Sequence, residues 1–424
     1  MRKLKFESGL RMNKKNKKSI YLVLLLFAIL PYDYSKLVLG EASIILDIIV
    51  YSIRLYLVFY VVYYMKRYPL ADECKRVFKY ITLYFLFVFV LNLVSSIAFD
   101  KTSILELIIR MFSMVYMYGF YVFVIYNYQH FDVINSKIKL VCSVLLFISI
   151  ILYLFYPDVG RQFEGYGSYV FLGIAGNRNS YYELMVPAIV SVFFLKKDKL
   201  KLLDILLIVL IVLTTIATKS LTSIFSLVIF FLLIIAGALF RNKSVVLKVA
   251  CAIVSAIWLA FFVLLPNSSY INSFSAMFDH KSSTLSGRTM IWEKAIYFIK
   301  QNPVLGYGYD NTLIGDTTNY YLQSDNAFPN DTHNSVIFML LSSGIVGTIV
   351  LVYFIVITLK RSIFVVRRDA KYFCISVFIV ANLFRGLTES CLHYPHAVFF
   401  LYMIMINIRY NQLKMMENKE RIEV

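Results

Sequence analysis

Twelve stretches of roughly 20 mainly apolar residues follow one another along the chain, and they constrain its fold more than any other feature. A stretch of about that length crosses a bilayer as an α-helix. Hydrophobic residues make up 60% of the 424 positions and charged residues only 16%, which excludes an ordinary soluble enzyme. The predicted fold is therefore an all-α integral membrane protein with about 12 transmembrane helices. The predicted spans are 19–39, 43–65, 77–98, 103–127, 138–156, 179–195, 202–217, 220–240, 246–265, 334–359, 371–388 and 394–411.

Basic residues set the predicted orientation of these spans. Residues 1–18 carry eight Lys and Arg. Together with the other segments predicted on the same side of the membrane, they contain 30 of the 43 Lys and Arg in the chain. Because basic residues are retained in the cytoplasm, both termini are predicted to be cytoplasmic. The net charge of +18 then reflects topology and contact with anionic membrane lipid, and nucleic acid is not an expected partner. The head resembles a signal peptide but lacks a small-residue cleavage site, so we expect an uncleaved first span.

The longest connection is a 68-residue outside loop between spans nine and ten. Long ordered loops on membrane scaffolds usually carry function, so the chemistry is predicted there, together with the next longest outside segment, 157–178. The predicted organisation is a basic cytoplasmic head at 1–18, spans one to nine within 19–265, a large extracytoplasmic loop at 266–333, spans ten to twelve within 334–411, and a cytoplasmic tail at 412–424.

Within the long loop, the sequence SGRTMIWEKAIYFIKQNPVLGYGYDN predicts one amphipathic helix that ends at Asn302-Pro303. Gly306 and Gly308 then permit a tight turn. Trp292 and the loop tyrosines are interpreted as anchors at the membrane interface. Arg288 lies in the first turn, where a guanidinium gains nothing from the helix dipole, so a forked contact to phosphate or carboxylate is its predicted role.

His333 ends the long loop at the predicted outer membrane boundary. Histidine exchanges a proton near neutral pH, which suits a general base, and the carboxylate of Asp331 lies close to it in the sequence. The alternative is that a lone histidine at a helix start is a cap or a hydrogen-bonded structural group. The residues around it add a second line of evidence.

The pattern that begins with His333-Asn334 and continues, after nine residues, with Gly344-x-x-Gly347 resembles the O-antigen ligase and polymerase superfamily. Upstream, Gly287-Arg288, Ile291-Trp292, Ala295 and Pro303-x-x-Gly306-x-Gly308 look like that superfamily's other loop signature. GNRNSYYELMVP at 176–187 is similar to its Asn-x-Asn segment, which includes Asn179.

The resemblance implies a membrane glycosyltransferase without nucleotide sugar, metal or other cofactor. Such enzymes take a glycan from undecaprenyl pyrophosphate on the outer face of the cytoplasmic membrane and pass it to an acceptor hydroxyl. His333 is then the candidate base, or a residue that orients the acceptor or binds phosphate, with Asn334 beside it. Arg288 and Arg178 are candidates to neutralise the leaving pyrophosphate.

One position departs from the family pattern. Members often carry a Ser-Arg pair between spans seven and eight, but here Ser220 is followed by Leu221. The resemblance implies that the arginine of this pair contacts the pyrophosphate, and Lys219 would contact the same phosphate as a point charge, without a bidentate fork. Lys219, Arg178 and Arg161 are therefore competing candidates for the second cationic contact.

Other ionisable groups have structural interpretations beside functional ones. Arg385, Glu389 and His393 follow at steps of four and share one face if their helix continues that far, with Glu389 as an alternative base. The pairs Glu106/Arg110 and Asp47/Arg54 are interpreted as structural ion pairs rather than as a relay. Cys391, His393 and His396 do not have zinc spacing, and the five cysteines predict no disulfide framework.

Three functions remain open from the sequence. The favoured one is a polymerase that joins undecaprenyl-pyrophosphate-linked repeat units into a surface polysaccharide, with a flippase and a chain-length regulator as candidate partner proteins. The second is a ligase that transfers the finished glycan to another acceptor. A polysaccharide flippase or transporter is the third, and the lack of an obvious internal repeat argues against it.

Overall fold

The computed structural model describes residues 43–99, 104–163, 169–175, 178–196, 199–240, 242–264, 291–292, 295–308, 332–392 and 397–422. The elements are α1 (Ser43–Arg67), α2 (Asp72–Phe99), α3 (Ile104–Tyr126), α4 (Phe131–Phe155), α5 (Pro157–Gly160), β1 (Arg161–Phe163), β2 (Tyr169–Phe171), α6 (Tyr181–Leu195), α7 (Leu202–Ala217), α8 (Leu221–Leu239), α9 (Lys243–Leu264), α10 (Ser335–Arg368), α11 (Phe373–Arg385) and α12 (Ala397–Ile422). Short 3-10 turns lie at Tyr128–His130, Gly173–Ala175 and Ala370–Tyr372.

Helices occur at the second to the twelfth predicted spans, and the first, 19–39, lies outside the described residues. Five helical stretches in the described part are long and apolar enough to cross a membrane. They are Asp72–Val94, Tyr128–Phe155, Leu221–Leu239, Lys243–Ala260 and Ser335–Arg368. The chain is thus a mainly helical membrane protein, while the number of 12 spans and the placement of the long loop stay predictions.

The chain divides into two compact units, each built from two segments. The first unit comprises Met1–Leu57 and Gln129–Thr218, and the second comprises Val58–Tyr128 and Lys219–Val424. The long loop and all of α8 to α12 therefore belong to the second unit, whereas the segment 157–178 belongs to the first.

The first unit packs α6 against both α4 and α7. Lys139 on α4 forms an ion pair with Asp204 on α7, and the Tyr181 hydroxyl donates to Thr214 Oγ1 at 2.8 Å. Its outside segment adds a feature that hydropathy did not predict, a two-stranded antiparallel sheet in which Phe163 pairs with Tyr169. The fold is therefore not entirely α-helical.

The second unit is centred on α11 and α12. Residues 373–383 and 398–408 are buried on every face. A helix that is apolar all round belongs in the interior of a bundle. α12 packs against α2, α3 and α10, and α11 packs against α8 and α9. The start of α10 and the turn after α11 are thereby brought together.

Candidate active site

α10 begins directly after His333, and Asn334 caps it. The Asn334 Oδ1 accepts hydrogen bonds from the backbone N–H groups of Val336 and Ile337, each at 3.0 Å. His333 has a φ of 49°, in the left-handed region that few non-glycine residues adopt. Backbone strain of this kind concentrates at functional sites. The cap is thus Asn334, and the capping alternative for His333 is wrong.

The imidazole of His333 faces a buried carboxylate. His333 Nδ1 lies 3.4 Å from Glu389 Oε2, and the two side chains are only 13% and 6% exposed. Contacts between catalytic groups are often this long before substrate binds. Nδ1 thus faces the carboxylate, and Nε2 is the second ring nitrogen through which an imidazole can exchange a proton. This arrangement suits a base that is oriented by an acid.

The other carboxylate oxygen of Glu389 accepts a hydrogen bond from a residue of α8. The Thr222 hydroxyl donates to Glu389 Oε1 at 3.3 Å, and it also lies 3.1 Å from the hydroxyl of Ser220. Ser220 caps α8 by accepting from the Ser223 N–H. Sequence reasoning missed Thr222, because a threonine in the first turn of an apolar helix carries no signal of its own.

The turn at 386–391 is fastened to the start of α10. The N–H of Ser335 donates to the Gly386 carbonyl at 2.8 Å, and its hydroxyl donates to the Glu389 carbonyl at 2.7 Å. That hydroxyl also accepts from the Cys391 N–H, and the Asn334 amide donates to the Leu387 carbonyl at 2.8 Å. These bonds fix the backbones of His333 and Glu389 relative to each other.

The predicted helical face of Arg385, Glu389 and His393 is only partly realised. α11 ends at Arg385, so Glu389 lies in the turn beyond it, although its N–H still donates to the Arg385 carbonyl at 3.0 Å. Arg385 is buried, and His393 lies outside the described residues. The condition for the shared face, a helix that continues through Glu389, is not met, and Glu389 instead lies against His333 from the turn.

The predicted loop helix is present in the residues described there. Residues 291–292 and 295–301 are helical, and the helix ends before Asn302-Pro303 as predicted. Trp292 is 6% exposed, and its indole N–H donates to the Thr332 carbonyl at 2.8 Å. Trp292 is therefore a buried contact to the residue before His333, and its interpretation as an interfacial anchor was wrong.

The turn that follows the loop helix inserts into a break in α10. Gly344 interrupts α10 with φ 59° and ψ −168°. The N–H groups of Tyr307 and Gly308 donate to the carbonyls of Leu341 and Ser342 at 2.8 and 2.7 Å. The N–H of Ile345 donates in return to the Pro303 carbonyl at 2.8 Å.

Glycine is required on both sides of this junction, which we call the glycine clasp (residues 303–308 and 341–346). A Cβ on Gly344 would lie 2.2 Å from the Val304 carbonyl oxygen, and one on Gly306 would lie 2.5 Å from the Gly344 nitrogen. Both glycines also have positive φ. The two glycine patterns seen in the sequence therefore meet in space and join the loop helix to the helix that follows His333.

Comparison with known proteins supports the superfamily resemblance seen in the sequence. Residues 206–352 match the family described as O-antigen ligase. These residues carry an O-antigen ligase domain. Comparison with curated proteins finds no match. The domain match supports the predicted place of the chain in the O-antigen ligase and polymerase superfamily. Members of the matched family are membrane glycosyltransferase-like enzymes, which supports an activity of this general type.

The O-antigen ligase domain includes most of the site but not all of it. Thr222, the loop helix, His333 and Gly344 fall within the matched residues. Glu389 lies 37 residues beyond their end at Leu351-Val352. The acid partner of His333 is therefore identified by the geometry rather than by the family match.

The candidate cations differ in their surroundings. Lys219 is exposed, has φ 51°, and directly precedes the Ser220 cap in the O-antigen ligase domain. Arg161 belongs to the first unit, where its Nε donates to the Tyr153 carbonyl at 2.6 Å and its guanidinium lies 4.5 Å from the Tyr153 ring. Arg161 thus has a local structural role. Arg288 lies outside the described residues.

Arg178 and Asn179 form the turn that precedes α6 in the first unit, and both are partly buried. Their predicted contact with substrate stays a prediction. The side chains of Asp47, Glu106 and Arg110 lie outside those described, as do His393 and His396. In the described part of the chain, no three His, Cys, Asp or Glu side chains cluster as metal ligands, and none of the five cysteines there forms a disulfide.

Proposed function

We propose that this protein is a polymerase that joins undecaprenyl-pyrophosphate-linked oligosaccharide repeat units into a surface polysaccharide. The observation that carries the proposal is the buried contact between His333 and Glu389 at the start of α10. Glycosyl transfer to a hydroxyl requires a base for the hydroxyl proton, and this pair supplies one within a domain of the O-antigen ligase type.

In the proposed reaction, His333 Nε2 accepts the proton of the acceptor hydroxyl. The acceptor oxygen attacks the anomeric carbon of the donor sugar, and the bond between that carbon and the pyrophosphate oxygen breaks. The pyrophosphate leaves with the bonding electrons. Glu389, held by Thr222, orients the imidazole and stabilises the imidazolium that forms.

The departing pyrophosphate needs cations. We assign this role to Arg288, because a guanidinium binds phosphate oxygens through two parallel N–H bonds. Lys219 is the favoured second contact. It is linked along the chain through Ser220 and Thr222 to Glu389, whereas the guanidinium of Arg161 is engaged by Tyr153.

The proposal places the enzyme in the cytoplasmic membrane with both termini in the cytoplasm and His333 on the outer face. A flippase that delivers the lipid-linked unit and a chain-length regulator are its proposed protein partners. No cofactor is required, since the sugar is already activated by its pyrophosphate bond.

A ligase is the second candidate, because the matched family is named for that reaction. The donor and the base are the same in both reactions, and only the acceptor differs. A polymerase deletion should leave single repeat units on the carrier lipid or the cell surface. A ligase deletion should leave long chains on undecaprenyl pyrophosphate.

Purified protein in liposomes with a synthetic undecaprenyl-pyrophosphate repeat unit tests the proposal. We expect a ladder of products that differ by one repeat unit, separated by gel electrophoresis. Arg288→Ala should abolish the ladder, because the leaving group loses its counter-charge. Lys300→Ala is the matched control, since Lys300 is an exposed cation near the end of the same loop helix.

Two outcomes would overturn the polymerase assignment. One is transfer of preformed chains to a second carrier without any elongation, which identifies a ligase. The other is that the wild-type protein performs neither reaction, although a known enzyme of this type consumes the same donor.

A further inference from the structure

A second feature of the second unit lies far along α10 from His333. A shallow groove, open on one side, runs between α2, α10 and α12. Its walls are apolar or aromatic throughout, with Tyr80 and Tyr84 from α2, Tyr353 and Ile357 from α10, and Phe400 from α12. The rings of Tyr84 and Phe400 stack at 5.7 Å, and those of Tyr80 and Tyr353 meet edge to face at 6.4 Å.

The groove opens on the outer surface of the helices. Tyr353 is 54% exposed and Val350 is 37% exposed, and both lie on its wall. α2 and α10 each contain a stretch long and apolar enough to cross a membrane. An opening on such helices faces hydrocarbon rather than water, so the occupant with matching chemistry is a lipid chain.

Two cations lie one helical turn beyond the groove. Arg76 precedes Tyr80 by four residues on α2, and Arg361 follows Ile357 by four residues on α10. Arg361 is close enough to Arg76, Tyr80 and Tyr353 to interact with them electrostatically. Both arginines belong to segments that the charge pattern predicts to be cytoplasmic.

Neither cation is neutralised by the part of the protein that the structure describes. Arg361 donates to Asn407 Oδ1 at 2.6 Å and lies 4.9 Å from the Tyr410 ring, which orient it without cancelling its charge. Within the described residues, no carboxylate forms an ion pair with Arg76 or Arg361. Two neighbouring guanidinium groups without a carboxylate attract an anion.

We propose that this groove binds an anionic phospholipid, with one acyl chain between α2, α10 and α12 and the phosphate on Arg76 and Arg361. The 17 residues from the break at Gly344 to Arg361 correspond to roughly 25 Å of helix, so the proposed phosphate site lies well away from the candidate active site. The lipid is therefore a separate ligand from the glycan donor, and the proposal does not depend on the reaction assigned above.

Native mass spectrometry of the full-length, delipidated protein tests the proposal. We expect dioleoylphosphatidylglycerol to bind more tightly than dioleoylphosphatidylcholine. Arg76→Gln should weaken binding of the anionic lipid about fivefold, the factor that corresponds to one basic residue at an anionic lipid surface. Arg76 is exposed, so the variant should fold; Arg361 is avoided because its loss also breaks the bond to Asn407.

A second variant and a control separate this site from general attraction between charges. Val350→Trp should fill the mouth of the groove and weaken binding of the same lipid while leaving every charge in place. Lys360→Gln removes an exposed cation next to Arg361 and should bind like the wild type. Equal weakening by Lys360→Gln and Arg76→Gln, or undiminished binding by both Arg76→Gln and Val350→Trp, would overturn the proposal.

Discussion

Replacing His333 should slow glycan transfer by at least about 10²-fold, because a positioned general base contributes about 10² to 10⁴ in rate. Since His333 has positive φ, alanine there adds backbone strain to the loss of the imidazole. His333→Asn is the sharper variant, because asparagine tolerates this conformation and has no imidazole to accept the proton. The measurement is the rate of product formation from the lipid-linked repeat unit by purified protein.

His130→Ala is the matched control. His130 lies in the 3-10 turn at Tyr128–His130, before α4, and has no place in the site described here. It should retain the wild-type rate. If His333→Asn also retained that rate, while the protein remained folded by thermal unfolding, His333 would have no role as a base.

Gly344→Ala is the second substitution with a large expected effect. The backbone at Gly344 has a conformation that is essentially restricted to glycine and costs other residues about 1–3 kcal/mol. The added Cβ also lies 2.2 Å from the Val304 carbonyl oxygen, so the turn at 303–308 must move. We expect a lower midpoint of thermal unfolding and, because misplacement by about 1 Å costs about 10²-fold, a similar loss of transfer rate.

Gly119→Ala provides the comparison for that prediction. Gly119 lies inside α3, and a Cβ there meets nothing within 4 Å. Alanine is favoured over glycine in a helix by about 1 kcal/mol, so this variant should be as stable as the wild type or more stable. A Gly344→Ala protein that matched it in stability and rate would show that the glycine clasp is dispensable.

The helical framework was predictable because each span is a local property of the sequence. Apolar stretches of about 16 residues or more, bounded by charge, place α1 to α4 and α6 to α12 without knowledge of any contact. The sheet of β1 and β2 was not predictable in this way, since each strand has only three residues. Its pairing depends on partners across residues 164–168, EGYGS, which show no strand pattern.

The candidate site was predictable only in part. His333 and the glycines stand at spacings that the sequence displays, and the structure gives the physical reason for two of them. Gly306 and Gly344 lie about 40 residues apart yet contact each other through their backbones. The contacts of Glu389 with Thr222 and His333 join elements 167 and 56 residues apart, and no local pattern encodes such distances.

Trp292 shows why an isolated aromatic residue is a poor indicator of position. Its type favoured the membrane interface, but its indole N–H found a partner at Thr332 and the ring became buried. The departure from the family pattern at Leu221 is a different case. The sequence has leucine where the family pattern has arginine, and the structure places Thr222, one residue later, against Glu389.

The central claim is that His333 and Glu389 act as one unit in glycosyl transfer, and a double-mutant cycle tests it most directly. Transfer rates are measured for the wild type, His333→Asn, Glu389→Gln and the double variant in the same liposomes. If Glu389 acts only through His333, the double variant should be no slower than His333→Asn alone. A double variant whose loss equals the product of the two single losses would contradict the account.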